Sequence, residues 1–229
     1  VQSEMRGSLH GRLRIGVIPT ALPAVSRLTL PFCGSYPDVS IAARAMSSLE
    51  IQHGLDNFEI DLGITYLDND PMPRMKSTPL YREYYCLVHA IADHPNPRAD
   101  HPNPRATTIS WRDAAALPLC LLTPDMQNRR IIDAAFAAAG CRPTPQVETN
   151  DLADIGLHVK TGKWAGIVPR HVLDILDLPA NAQALDLVAP EVSHSVGLVV
   201  ADREPQPPTT KAMLALVGTM GGGDIFARE

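Results

Sequence analysis

Leu13, Ile15 and Val17 alternate with other residues along a short run, the period of a strand with one buried face. Pro19-Thr20 then opens a largely apolar segment that ends near Tyr36-Pro37. The pattern predicts a helix there, with Pro31 kinking it or shifting its boundary. Val39 to Met46 reads as a second strand, Ser47-Ser48 as a turn, Leu49 to Asn57 as a second helix, and Asp61 to Tyr66 as a third strand. Two successive strand-loop-helix units with Ser or Thr at the helix start aim unpaired N–H groups at one edge of a sheet. Such an edge suits small anions or polar groups.

The later half repeats the alternation. Leu119 to Leu122 is a short apolar strand, and Thr123-Pro124 leads to a helix from about Arg129 to Ala139, with Gly140 at its C-terminal cap. Val147 leads to Thr149-Asn150, followed by an amphipathic helix from Leu152 to about Lys160 that Gly162 closes. Gly166 to Val168 is a strand stopped by Pro169, with a short helix after Arg170. Ala184 to Val188 and Val196 to Val200 are further strands, and Pro208 to Met220 is a final helix whose proline suits the first turn. Strands and helices alternating in this way predict an α/β fold with mainly parallel sheets.

Composition narrows the function. At 229 residues the chain suits one large domain or two small lobes. Twenty basic residues against 25 acidic ones give a net charge of −5, and no basic run offers the clustered cations that phosphate binding needs. This chain alone is not expected to hold duplex DNA. No apolar run approaches the length of a membrane helix, and Val1 to Arg12 lack the apolar core of a signal peptide. The Val at position 1 suggests a piece of something longer. Cys33, Cys86, Cys120 and Cys141 are scattered among apolar neighbours, so buried reduced thiols in a cytoplasmic protein are expected, with no metal and no cofactor. No nucleophile elbow, phosphate loop, zinc motif or dinucleotide fingerprint is present. That weighs against an enzyme, although catalytic geometry need not show in spacing. Residues 92–98 recur unchanged as 99–105, Ala-Asp-His-Pro-Asn-Pro-Arg in both copies. Such a proline-rich duplication reads as a lengthened loop in preference to a metal site built on His94 and His101.

The order of these features resembles the effector-binding domain of LysR-type transcriptional regulators, which share the two-lobed fold of type 2 periplasmic binding proteins. The resemblance is carried by Gly11-Arg12-Leu13-Arg14-Ile15-Gly16, by Tyr36-Pro37-Asp38-Val39, and by Ser48, Ile51 and Leu55 before Asp61-Leu62-Gly63-Ile64. Leu80-Tyr81-Arg82-Glu83 with Leu87-Val88 and the run Gly162 to Pro169 complete it over residues 11–220. Asn57-Phe58 departs from the family, which has a Gly closing the second helix. The resemblance implies two Rossmann-like lobes with a cleft between them, joined by two crossover strands around Tyr84 to His89 and Ser195 to Val200. Residues 1–85 and 197–229 would form lobe I and 86–196 lobe II. A winged helix-turn-helix DNA-binding domain would precede them, outside this chain.

Thr20, Ser48, Thr123 and Thr149 each follow a strand and precede a helix. Each either caps its helix, at a gain of about 1 kcal/mol, or faces the cleft. The resemblance favours the effector for Thr20, Ser48 and Thr149, with Ser47 and Asn150 as neighbours. Tyr66 lines the cleft or packs at the sheet edge, and the Gly166 loop is expected at the rim. Arg129 and Arg130 neutralise an anionic effector or sit on a solvated face, and Trp164 is a cleft wall or ordinary packing. The implied function is co-inducer binding and oligomerisation. The effector is expected to be a small carboxylate or inorganic anion, the assembly a homodimer or homotetramer, and DNA is reached only through the absent domain. The dimer is expected to form through the first helix. A solute-binding protein of a transport system is the alternative, and an enzyme on this fold a third.

Overall fold

The computed structural model describes residues 9–68, 73–90, 106–220 and 225–226. The duplicated loop at 92–105 and the glycine run Gly221-Gly222-Gly223 lie outside them. In chain order the elements are β1 (Gly11–Val17), α1 (Leu22–Ser35), β2 (Val39–Ala45), α2 (Ser48–Asp56), β3 (Leu62–Tyr66), β4 (Met75–Ala90) and β5 (Thr108–Ser110). Then follow α3 (Trp111–Ala114), β6 (Leu119–Leu122), α4 (Gln127–Ala138), β7 (Val147–Thr149), α5 (Leu152–Lys160), β8 (Ala165–Pro169), β9 (Ala182–Val188), β10 (Ser193–Ala201) and α6 (Pro208–Thr219). Two compact units result, Val1–Arg82 with His194–Glu229, and Glu83–Ser193.

In the first unit β1 lies between β2 and β3, parallel to both, and β10 runs antiparallel against β3. Leu13, Ile15 and Val17 face the core, as their alternation predicts, with Leu28 and Phe32 of α1, Ile51 and Leu55 of α2, and Ile64 of β3. The helix expected from Pro19 begins later. Pro19–Ala21 is a 3-10 turn and the α-helix starts at Leu22. Pro31 stands inside α1: it removes one N–H from the ladder without ending the helix. Asp61 closes the other end of the sheet, where Arg14 donates its backbone N–H and two guanidinium N–H groups to the carboxylate.

In the second unit β6 lies between β7 and β8, parallel to both, while β4 pairs antiparallel with β8 and β9 and β5 runs parallel to β9. The core gathers Cys86, Val88, Cys120, Leu122, Ile155, Val159 and Val168. The short elements β5 and α3 follow directly on the duplicated loop and carry too few residues to show a period. Trp111 anchors them, fully buried edge-on against Phe136 and donating its indole N–H to the Pro190 carbonyl. Gly140 ends α4 at φ +74°, in the left-handed conformation that glycine reaches without a Cβ clash.

The two units share one packing device. Gly63 in β3 lies under Ile51 of α2, and a Cβ there would come within 2.4 Å of the Ile51 Cγ2. Gly166 in β8 lies under Ile155 of α5, again at 2.4 Å. In each unit the missing side chain lets a helix sit directly on its strand.

Candidate functional site

The strand ends of the first unit finish together. Val17 pairs with Ala45 on one side and Ile64 on the other, and the Met46 N–H donates to the Val17 carbonyl at 2.9 Å. Four of the predicted site residues stand just beyond this line. Ser47 is the true N-cap of α2: its hydroxyl accepts from the Glu50 N–H at 3.3 Å, and its own N–H donates to the Glu50 carboxylate at 2.7 Å. This reciprocal box frees the next residue from capping. Ser48 accepts a hydrogen bond from the Thr65 hydroxyl at 3.1 Å. Thr20 and Tyr66 hydroxyls lie 3.2 Å apart. Thr20 caps no helix, because it sits within the 3-10 turn and α1 has no side-chain cap.

His194 joins this edge from β10. Val196 pairs with Tyr66, so His194 runs on past the end of β3. The Leu67 N–H donates to the Ser195 carbonyl, and the Ser195 N–H to the Asp68 carboxylate at 2.6 Å. The imidazole stands edge-on to the Tyr66 ring, centroids 6.2 Å apart at 86°. Burial pushes its pKa below the usual histidine value; Asp68 acts against this and Arg82 with it. The sequence alone gives His194 no distinction, since only the antiparallel register of β10 on β3 brings it to Tyr66.

The second unit arranges its candidates differently. Leu122 pairs with Thr149, and the Thr123 N–H donates to the Thr149 carbonyl at 2.9 Å. The helix after Thr123 starts only at Gln127, with Met126 as its N-cap, so Thr123 caps nothing, and its buried hydroxyl oxygen has no hydrogen-bond partner among the described residues. Asp151 caps α5 by accepting from the Ala153 N–H at 2.9 Å, and Thr149 instead accepts from the Asp151 N–H. Asn150 is exposed between them.

Several expectations are corrected. Gly166 lies in a strand, as the reading of Gly166 to Val168 has it, and not in a rim loop: it is the second residue of β8, paired with Cys120 and Val88, and its lack of a side chain serves packing. Arg129 is not on a solvated face. It is buried, donating to the Leu122 carbonyl, Glu148 and Asp133. Burial alone would lower its pKa, but the two carboxylates hold it above the usual value. Its charge is thus compensated inside the protein. Arg130 is exposed and donates to the Asp125 carbonyl. Trp164 packs against the second unit's core, its ring edge-on to His158 and under Lys163. Of the four free cysteines Cys86 and Cys120 are buried, but Cys33 is exposed on α1. Desolvation raises the Cys86 thiol to about 12 and Cys120 to about 11, so neither is a thiolate near neutral pH. Among the described residues no His, Cys, Asp or Glu group could hold a metal, and no helix is long and apolar enough to cross a membrane.

Comparison with known proteins places this geometry. The model of the LysR substrate binding domain matches residues 6–221. The chain belongs to this family. A curated relative, the HTH-type transcriptional regulator SsuR of Burkholderia cenocepacia, is 29% identical over 158 residues, 67% of this chain and 46% of the regulator. The chain thus spans less than half of that relative. The solved effector-binding domain of QuiR in complex with shikimate superposes with a TM-score of 0.76 at 21% identity, covering 93% of this chain and 98% of that one. Full-length CbnR, a LysR-type neighbour solved with its target DNA, gives 0.72 at 18% identity, covering 95% and 72%. As a LysR substrate-binding domain the chain has the α/β fold of type 2 periplasmic binding proteins.

Proposed function

We propose that this chain is the effector-sensing and oligomerising domain of a LysR-type transcriptional regulator. It acts without catalysis in the cytoplasm and reaches DNA through a separate N-terminal winged helix-turn-helix. The observation that carries the reading is the gathering of Thr20, Ser47, Ser48 and Tyr66 at the common end of three parallel strands, where α2 begins. Hydroxyls and helix N–H groups together suit a small carboxylate or inorganic anion. Shikimate, the molecule bound by QuiR, is a hydroxylated carboxylate of this kind. Residues 1–85 with 197–229, and 86–196, would act as lobes closing on the effector, with Thr123, Thr149 and Asn150 contributing from the second. An effector that binds the closed arrangement better shifts the population toward it. A solute-binding protein shares the fold, but relatives that are regulators, one solved on its target DNA, favour the first reading.

Calorimetry with shikimate and a panel of small carboxylates and oxyanions tests the proposal. A binding partner should emerge, and Ser48→Ala should weaken it by about 1–3 kcal/mol, the loss of a desolvated hydroxyl contact. Absence of any binder would refute the sensing role, and unchanged affinity in Ser48→Ala would remove Ser48 from the site. Assembly would use α1, whose Leu22 and Leu30 are exposed while Leu28 and Phe32 are buried. Sedimentation equilibrium should show a dimer, and a monomer at tens of micromolar would exclude that interface for this chain.

A further inference from the structure

We propose that Thr65 is the positioning residue of the effector site: its buried hydroxyl donates to Ser48 and so fixes Ser48 as a donor, which makes the start of α2 select a ligand by a hydrogen-bond acceptor such as a carboxylate oxygen. The inference rests on the sensing role above and adds to it the residue that sets the polarity of the contact. The arrangement follows from two periods. Residues of one face recur every second position along a strand and every third or fourth along a helix. Ile51 of α2 packs on Gly63 of β3. One turn back in the helix is Ser48, two places on in the strand is Thr65, and their hydroxyls meet at 3.1 Å. Gly63 lets α2 approach closely enough for that bond to form.

Burial sets the direction of the bond. Thr65 is fully buried, and Ser48 is the only hydrogen-bond partner of its hydroxyl among the described residues. A hydroxyl carries one hydrogen and two lone pairs. Were Ser48 the donor, the Thr65 hydrogen would be left unsatisfied in the core, the costly alternative. With Thr65 donating, one lone pair of Ser48 is taken and the Ser48 hydrogen points away from Thr65. Whatever group meets that hydrogen must accept. The hydroxyls nearby do not force such a choice. Between Thr20 and Tyr66 either oxygen can donate, so that pair adapts to a donor or an acceptor. Ser47 is tied into the capping box with Glu50, whose carboxylate places a negative charge at the same helix start. That charge favours a cationic group and the Ser48 donor favours the opposite, so the two influences are separable by experiment. Thr65, enclosed in the core, touches no ligand and acts through Ser48 alone.

Calorimetry on the whole chain decides this, using shikimate, benzoate and inorganic sulfate as probes. For a probe that binds, Thr65→Val should weaken binding about tenfold, and Thr65→Ser, which keeps the donor, should stay within about twofold of wild type. The Thr65→Val loss should vanish in a Ser48→Ala background, where Thr65 has nothing left to orient. Benzylammonium, which carries donors only, should bind about tenfold more weakly than the probe or not at all. Proton NMR of the wild type gives a readout that needs no variant to fold: the Thr65 hydroxyl hydrogen, buried and bonded, should exchange with solvent slowly enough to be seen. An equal Thr65→Val loss in both backgrounds, or no loss in either, would overturn the positioning role and leave the sensing role standing. So would a fast-exchanging Thr65 hydroxyl, or benzylammonium binding as tightly as the probe. No binding by any probe or panel member would overturn both.

Discussion

The second helix of the first unit and the corresponding helix of the second unit start in different ways on the same foundation. Both α2 and α5 rest an isoleucine on a strand glycine, Ile51 on Gly63 and Ile155 on Gly166. Above that shared contact the helix starts diverge. In α2 the capping work falls to Ser47 and Glu50, and Ser48 is left to bond a neighbouring strand through Thr65. In α5 an aspartate caps, and Thr149 bonds within its own turn. Burial depends on shape and tolerates little variation, whereas a helix start needs only some acceptor for its first N–H groups. The fold repeats what packing demands and varies what hydrogen bonding leaves open.

The largest effect should come from the shared contact. Gly63→Ala places a methyl between Ile51 and Val199, at 2.4 and 2.9 Å, whereas in Gly166→Ala only Ile155 is so close. Overpacking of this kind costs about 1–3 kcal/mol, and Gly63 should lie at the upper end. Urea unfolding checks the order, and equal or negligible losses would show that the helices slide freely on their strands. Next in size is the capping contrast. Ser47→Ala and Asp151→Ala should each cost about 1 kcal/mol, Thr149→Ala clearly less. A Thr149 loss matching that of Ser47 would erase the difference between the two helix starts.

Most elements were legible because their signals are local and redundant. The alternation of Leu13, Ile15 and Val17 and the apolar stripe of α5 each survive any single misreading. Helix starts were less so: Thr20, Thr123 and Thr149 carry the right chemistry at the right place, yet the 3-10 turn, a helix delayed to Gln127 and Asp151 displace them from capping. A one-residue shift changes the donor but hardly alters a sequence pattern. Gly166 was legible as a strand residue, which β8 bears out, and also read as a rim loop, since glycine signals loops and close packing alike. Arg129, buried with Glu148 and Asp133, and His194, set on Tyr66, owe their surroundings to pairings 19 and 128 residues apart in sequence, which no local window contains.

The first unit also ties its sheet with Arg14 and Asp61. Burial opposes ionisation of Asp61, but hydrogen bonds from the Arg14 side chain and backbone outweigh it and hold the carboxyl below its usual pKa. A carboxyl depressed on folding stabilises the protein above its unfolded pKa of about 3.9 and loses that contribution as pH falls through the folded value. Arg14 is 41% exposed, so solvent screening limits the effect to about 1 kcal/mol. Wild type should therefore lose more stability than Asp61→Asn between about pH 5 and pH 2, as acid-titrated thermal melts would record. Parallel curves would mean that the pair contributes nothing.

The smallest effect concerns the other end of α2. Phe58 stands just past that helix at φ +59°, in the left-handed region that favours glycine. The backbone there forms a complete Schellman closure, the Glu59 N–H donating to the Gly54 carbonyl at 2.8 Å and the Phe58 N–H to Leu55 at 3.4 Å. A left-handed phenylalanine carries a Cβ clash of about 1 kcal/mol, and its ring, 58% exposed, buries little in return. Its visible compensation is Arg203, whose guanidinium lies 4.3 Å over the ring; at an exposed site such a contact offsets about 0.5 kcal/mol. Asparagine tolerates the left-handed region without the extra unfolded-state freedom of glycine. Phe58→Asn should therefore stabilise the chain by about 0.5 kcal/mol, the difference between the two terms. Equilibrium unfolding in urea resolves a change of that size when wild type and variant are run side by side. A loss of stability instead would mean that the Arg203 stack outweighs the backbone strain.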